Sequence, residues 1–159
     1  MQFSRNFSGL ALFVLALAGV GMATPVAAPG EGVEAAVEPA TYLVSYDEML
    51  HWLATTDAEL TYVGAPINPL VPRAAQNTIV TYCNKRANNV CGGSCSVYNG
   101  GAACIAASGT NCLAATHNVA FCDRGSCGGT CNQLDSCGTR LDNGFCYTPG
   151  TNSILVSSA

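Results

Sequence analysis

The segment Cys91-Gly92-Gly93-Ser94-Cys95 recurs thirty-six residues later as Cys127-Gly128-Gly129-Thr130-Cys131. An aromatic-cysteine pair precedes each copy, Tyr82-Cys83 before the first and Phe121-Cys122 before the second, and two further cysteines follow each copy. All 10 cysteines of the chain lie between Cys83 and Cys146. Self-similarity at a fixed spacing is the mark of a repeat, so the sequence predicts an internal duplication.

The cysteines predict a disulfide framework, because an even number of cysteines in a short secreted chain normally pairs. Each predicted half, at about 79–112 and 118–147, carries five cysteines, so full pairing requires at least one bridge between the halves. Counting alone leaves the connectivity open. The predicted disulfide-forming residues are Cys83, Cys91, Cys95, Cys104, Cys112, Cys122, Cys127, Cys131, Cys137 and Cys146.

A zinc site is the alternative use of so many cysteines. Structural zinc sites favour paired Cys-x-x-Cys units or cysteines with spaced histidines. The cysteine-bearing segment has no Cys-x-x-Cys and only one histidine, His117. We therefore expect no metal site and no cofactor.

Secretion is predicted by residues 1–23. Arg5 is their only charge, an apolar run extends from Leu10 to Val20, and small residues flank a cleavage point near Ala23, as in a signal peptide. The alternative, a membrane anchor, requires about 20 apolar residues, and this run is about half that long. The sequence predicts an extracellular protein without a membrane anchor in its mature form.

Residues 24–73 form an acidic leader, with seven carboxylates against the single base Arg73 and a formal charge of −6. Its first part alternates Ala, Val, Glu and Pro, a composition that buries too little apolar surface to offset chain entropy. We expect most of the leader to be disordered.

One short helix is predicted inside the leader. Ser45 and Glu48 have the spacing of a capping box, and Val44 with Met49 matches a hydrophobic staple. Apolar residues fall on one helical face for about fifteen residues, and Pro66 would end the helix. Such a helix is marginal alone, so it either packs against a partner or frays. The residues of the face are Met49, Leu50, Leu53 and Leu60, with Trp52 beside them.

The leader ends in a possible processing site. Pro72-Arg73-Ala74 resembles the sites that kexin-type proteases of the fungal secretory route cut, which makes 24–73 a propeptide, Trp52 included, and 74–159 the mature domain. An ordinary linker is the alternative. The rival dibasic site Lys85-Arg86 begins two residues after Cys83, where a disulfide would hinder cleavage.

For 74–159 we predict a small, mainly β and irregular disulfide-rich domain. Large apolar residues are few, so the bridges have to supply much of its stability. Thr78–Tyr82 and Asn118–Phe121 read as strands, and Ser153–Val156 as an edge strand. Asn99-Gly100 and Asp142–Gly144 read as hairpin turns. The two Cys-Gly-Gly units are predicted to be tight loops, because paired glycines form poor helices.

The whole layout resembles the small secreted cysteine-rich proteins of fungi. The resemblance rests on the signal peptide, the acidic leader, the Pro72-Arg73 site and the repeated cysteine unit. Defensin-like scaffolds and hydrophobins fit less well, because Cys-x-Cys and Cys-Cys doublets are both missing. The class includes effectors, toxins and wall proteins, so it carries over no functional residue.

Catalysis is not expected. After Arg73 the chain has no Glu, one histidine and three aspartates. Asp123, Asp135 and Asp142 sit in turn-like contexts, and His117 has no nucleophile motif beside it. General acid–base chemistry needs more than this inventory offers.

Binding through loops clamped by disulfides is the preferred function, either as a binding protein or as an effector. The partner is expected to be an extracellular protein or glycan, while a formal charge of +1 after Arg73 argues against nucleic acid and anionic membranes. A structural or wall-associated protein and a processed toxin or antimicrobial are the alternatives. The candidate binding residues are Tyr98, Asn99, Arg86, Arg124, Arg140 and Asn143, with Arg86 and Arg124 taken as equivalent positions of the repeat.

Overall fold

A computed structural model describes residues 43–70 and 77–157. Within these residues the chain forms one helix, seven strands and two 3-10 turns, at Leu134–Ser136 and Asp142–Gly144. The predicted signal peptide, the first part of the leader and the Arg73-Ala74 site lie outside the described residues. The elements are α1 (Tyr46–Thr55), β1 (Glu59–Gly64), β2 (Thr78–Ala87), β3 (Val90–Gly100), β4 (Ala103–Ala115), β5 (Val119–Cys122), β6 (Cys131–Gln133) and β7 (Cys146–Val156).

The seven strands form one mixed sheet in the order β1-β3-β2-β4-β7-β5-β6. The β1–β3 pair is parallel, and the other neighbouring pairs are antiparallel. This arrangement confirms the prediction of a small, mainly β, disulfide-rich domain.

Apolar side chains pack on both faces of the central strands. Because successive residues of a strand point to opposite faces, Ile79 and Cys83 of β2 enter one cluster, while Val80 and Tyr82 enter another. We call these the first core and the second core. The first core also contains Val97, Leu141 and Phe145, and the second contains Leu113, Val119, Leu134, Ile154 and Val156.

Five disulfides join all ten cysteines, as predicted. One of them, Cys104–Cys127, connects the two predicted halves, so the expectation of at least one crossing bridge is confirmed. The other four lie within the halves: Cys83–Cys95, Cys91–Cys112, Cys122–Cys131 and Cys137–Cys146.

Several local predictions are confirmed. The strands β2 and β5 begin within one residue of the predicted runs. A turn forms between Leu141 and Phe145, where Asn143 and Gly144 have positive φ angles of 58° and 76°. The helix begins with a complete capping box, in which Ser45 and Glu48 exchange side-chain and backbone hydrogen bonds.

Other local predictions are wrong. The Asn99-Gly100 hairpin does not form, because β3 pairs with β2 and β1 and not with β4. The β2–β3 connection turns at Asn88-Asn89, where Asn88 has φ 54°. Ser153–Val156 is not an edge strand but the inner end of β7, paired on both sides. The first Cys-Gly-Gly unit is part of β3 and not a tight loop.

The predicted helix is shorter than expected and is followed by a strand. It ends at Thr55, and Leu60 belongs to β1. Val44, Met49 and Trp52 are buried in the first core together with residues beyond position 77. We call residues 43–67 the docked segment and residues 77–157 the bridged domain. The apolar face of the leader helix therefore has a partner.

Candidate functional site

The two cysteine units share one hydrogen bond and one glycine conformation, although the first lies within β3 and the second ends at the first residue of β6. A bridged cysteine, Cys83 or Cys122, lies upstream of each unit. The side chain of the residue after that cysteine accepts a hydrogen bond from the backbone N–H of the Ser or Thr in the unit. The second glycine of each unit has a positive φ. The hydrogen bonds are Ser94 N to Asn84 Oδ1, 3.0 Å, and Thr130 N to Asp123 Oδ1, 2.8 Å. The glycines are Gly93, φ 85°, and Gly129, φ 78°. The likeness is one of local hydrogen bonding and glycine conformation.

The same comparison corrects the pairing of basic residues between the halves. Lys85 lies against Gly93 in the first unit, as Arg124 lies against Gly129 in the second. Lys85, and not Arg86, is therefore the counterpart of Arg124. Arg86 and Arg124 therefore do not occupy equivalent positions in the two units.

Tyr98 and Asn99 are not in a binding loop. Both lie inside β3, where Tyr98 is half-buried and donates its hydroxyl hydrogen bond to the carbonyl of Gly101 at 2.9 Å. Asn99 is buried, and its amide donates to the carbonyls of Ala65 and Pro66 at 3.1 and 3.0 Å. The Asn99 side chain therefore binds the docked segment.

Arg86 is exposed near the β2–β3 turn. Its guanidinium carbon lies 4.2 Å from the ring centroid of Tyr147, and its Nε donates to the carbonyl of Asn88 at 2.6 Å. This cation–π contact covers one face of the Tyr147 ring, which is half-buried in β7. Tyr82, the remaining tyrosine of the bridged domain, is buried, and burial raises the pKa of its hydroxyl.

A cleft of about 830 Å³ is lined on one side by α1 and its flanks and on the other by the bridged domain. Arg140 and Asn143, two of the predicted binding residues, line it on a segment that we call the cleft loop, residues 140–144. Val90 and the Cys91–Cys112 bridge form the adjoining wall. The opposite wall consists of α1 and its flanks: Leu43, Val44, Asp47, Glu48, His51, Trp52, Thr55, Thr56 and Asp57.

The cleft loop is fixed to the β2–β3 turn and to the last bridge. Asp142 N donates to the carbonyl of Asn89 at 2.8 Å, and Leu141 N donates to the carbonyl of Phe145 at 2.8 Å. Arg140 pairs with Cys146 in an isolated β-bridge, and Cys146 is itself bridged to Cys137. One wall of the cleft is therefore held by backbone pairing and two disulfides.

The cleft combines an apolar base with a charged rim. Trp52 and Val44 are buried at its base, while the rim carries three carboxylates, one histidine and Arg140. The Ser45 hydroxyl lowers the pKa of the Glu48 carboxyl by hydrogen bonding, with help from the Ser45 backbone N–H. Glu48 is thus already engaged as the helix cap.

The catalytic candidates of the bridged domain lie apart from this cleft. His117 is exposed, with Nδ1 3.2 Å from the Thr116 hydroxyl and 3.4 Å from the Thr78 hydroxyl. Asp123 and Asp135 accept local hydrogen bonds from Thr130 and Asn118. Asp123 thus contacts the second cysteine unit, and Asp135 contacts the residue before β5.

Residues 47–57 were missed as site residues because Pro72-Arg73-Ala74 predicts their removal with a propeptide. The signal that could have found them is the staple of Val44 and Met49, which predicts a buried helix face. A buried helix needs a surface to pack on, and that surface belongs to the bridged domain.

No protein-family model, curated protein or solved structure matches this chain. Within residues 43–70 and 77–157, none of the helices is long and apolar enough to cross a membrane. The same residues hold no cluster of three or more potential metal ligands from His, Cys, Asp and Glu.

Proposed function

We propose that the protein is a secreted binding protein that takes part of an extracellular partner into the cleft between α1 and the cleft loop. The observation that supports this most strongly is the cleft itself, with an apolar base, a charged rim and a wall held by disulfides. Rigid walls lose little entropy when a ligand docks. Five disulfides support secretion, because such bridges persist in oxidising compartments.

A protein partner fits the site better than a glycan. Sugars are commonly held by stacking on open aromatic rings. Trp52, the one Phe, Tyr or Trp among the described residues that line the cleft, is buried. An apolar side chain beside a basic group matches the base and the mostly acidic rim of the cleft.

Binding is preferred over catalysis because the best-placed polar groups already have structural partners. Glu48 belongs to the capping box of α1, Asp123 accepts a hydrogen bond from the Thr130 backbone, and Asp135 accepts one from the Asn118 side chain. The cleft does hold His51 and Asp57, which an inventory of 74–159 leaves out. Because His51 is exposed, its replacement by Ala is expected to leave the protein folded.

The test is a pair of matched substitutions. Val90 is 54% exposed on the cleft wall, and Val63 is 42% exposed on β1 away from the cleft. Extracellular proteins from the natural surroundings of the organism are screened against the immobilised protein by interferometry, and hits are measured again with each variant. We expect Val90→Asp to weaken binding at least about tenfold, or about 1.4 kcal/mol, and Val63→Asp to have no effect. Equal effects of both variants would exclude the cleft as the site.

A further inference from the structure

The docked segment is held to the bridged domain without any covalent cross-link of its own. All ten cysteines lie beyond position 82, so the five bridges stay within the bridged domain. The contacts between the two parts are apolar packing, the β1–β3 strand pairing, and further backbone and side-chain hydrogen bonds. On the side of the bridged domain, this surface has an apolar part and a polar part.

The apolar part of this surface is the first core. Met49 and Trp52 are buried against it, and the Thr81 hydroxyl donates to Met49 Sδ at 3.2 Å. From the bridged domain, Ile79 and Phe145 complete the cluster and are almost fully buried. Loss of the docked segment would expose these side chains to water, which is unfavourable in proportion to the apolar area uncovered.

The polar part is the edge of β3. β1 pairs along it in parallel over six residues, from Glu59 opposite Ser94 to Gly64 opposite Asn99. Asn99 adds two hydrogen bonds to the segment, at the carbonyls of Ala65 and Pro66. Strand addition of this kind is a common mode of peptide recognition.

We propose that the first core and the β3 edge bind residues 43–67 without needing the chain connection to residue 77. Cleavage after Arg73 then gives a two-chain protein, in which the cut leader remains as one wall of the cleft and does not leave. Docking of residues 43–67 does not depend on whether the cleft binds a ligand. The two-chain form differs from the expectation that processing removes the leader together with Trp52.

The experiment cuts the folded full-length chain at a position that does not depend on the natural protease. A recognition sequence for a site-specific endoprotease is inserted between Arg73 and Ala74, and the purified protein is cut after its five bridges have been verified. Trp52 is the only tryptophan of the chain, so its fluorescence reports whether the docked segment stays in place.

We expect both fragments to elute together in size-exclusion chromatography and to give their summed mass in native mass spectrometry. The Trp52 emission should remain that of a buried indole until denaturant is added. Elution of the bridged domain without the leader fragment, or emission of a solvent-exposed indole after cutting, would overturn the proposal.

A pair of asparagine variants tests whether the segment is held by the contacts described. In the cut protein, Asn99→Ala is expected to speed release of the leader fragment about tenfold, because two hydrogen bonds to it are lost. Asn118→Ala is the control, since Asn118 bonds to Gln133 and Asp135 within the bridged domain. Equal release rates in the two variants would contradict the assigned surface.

Discussion

The ring centroids of Trp52 and Phe145 lie 4.8 Å apart, with an interplanar angle of 55°. Trp52 belongs to α1, upstream of the possible processing site, and Phe145 directly precedes the last bridged cysteine. The contact joins the leader to the region that supports the cleft loop. The leader helix is therefore part of the first core of the domain.

Truncation of Trp52 should be among the most damaging single changes. Trp52→Ala and Phe145→Ala are each expected to reduce the free energy of unfolding by about 3–5 kcal/mol, as for buried aromatic residues in general. Far-UV circular dichroism in urea measures both variants. Leu70→Ala is the control, because Leu70 is 88% exposed and its loss should change stability by less than about 0.5 kcal/mol. A Trp52→Ala protein as stable as the control would contradict the packing.

The double variant Trp52→Ala/Phe145→Ala isolates the ring pair. Tilted aromatic pairs contribute about 0.5–1.5 kcal/mol beyond their buried area, so the double variant should lose less stability than the two single losses added together. Strict additivity would mean that the two rings do not interact.

Two glycines with the same φ allow the stability cost of backbone strain to be distinguished from that of a packing clash. Gly144 and Gly150 both have φ 76°. A Cβ on Gly144 would collide with the Val44 side chain, while a Cβ on Gly150 would meet nothing within 4 Å. Gly150→Ala should cost about 1 kcal/mol, and Gly144→Ala should cost more and displace α1. Equal losses in urea unfolding would show that Val44 is not packed there.

The capping box should give α1 a pH dependence. The pKa of Glu48 lies below its ordinary value of 4.5, chiefly because of the Ser45 side-chain hydrogen bond. A lowered carboxyl pKa stabilises the fold above the ordinary value, and this contribution is lost as pH falls through the lowered pKa. Ser45→Ala should cost about 1 kcal/mol at pH 7, and the difference from the parent protein should shrink near pH 3.

The comparison for this effect is Thr55→Ala, at the other end of the helix. The Thr55 hydroxyl donates to the carbonyl of His51 at 2.9 Å, and neither group titrates between pH 3 and 5. Its effect on urea unfolding should be the same at both pH values. If the loss of stability in Ser45→Ala is equally independent of pH, the ionisation of Glu48 does not contribute to the capping of α1.

The Cys104–Cys127 bridge, which joins the two predicted halves, should stabilise the fold more than a bridge that closes a shorter loop. Non-reducing peptide mapping should recover Cys104–Cys127, whose residues are 23 positions apart. Replacing both cysteines by Ser is expected to cost about 2–5 kcal/mol, as for native bridges of small secreted domains. The Cys122–Cys131 pair, with a separation of 9, closes a shorter loop, so its removal should cost less. A different cysteine pairing in the map would contradict the sheet topology.

Local chemistry made part of this fold predictable. Ser45 and Glu48 are three residues apart and determine the helix start by themselves, and the positive φ angles of Asn143 and Gly144 follow from their residue types. The crossing bridge followed from counting, since five cysteines in each half cannot all pair internally. The bridge partner of Cys104 could not be predicted by counting, because it depends on how the strands pair in the sheet.

Long-range pairing made the rest unpredictable. Leu60 fits the helical face of Met49 and Leu53 by spacing, yet it pairs with Cys95 in a parallel strand. Asn99-Gly100 has the composition of a hairpin turn, but the edge of β3 is already occupied by β1. The cleft was missed for the same reason, because its two walls are more than thirty residues apart in sequence.

Hydrogen exchange of the native protein, read by mass spectrometry, tests most directly whether residues 43–67 belong to the folded domain. We predict that peptides covering α1 and β1 exchange as slowly as those covering β2, within about tenfold, because all three contribute to the first core or to the sheet on which it packs. Exchange of residues 46–64 at the rate of an unstructured peptide, with β2 still protected, would contradict the account.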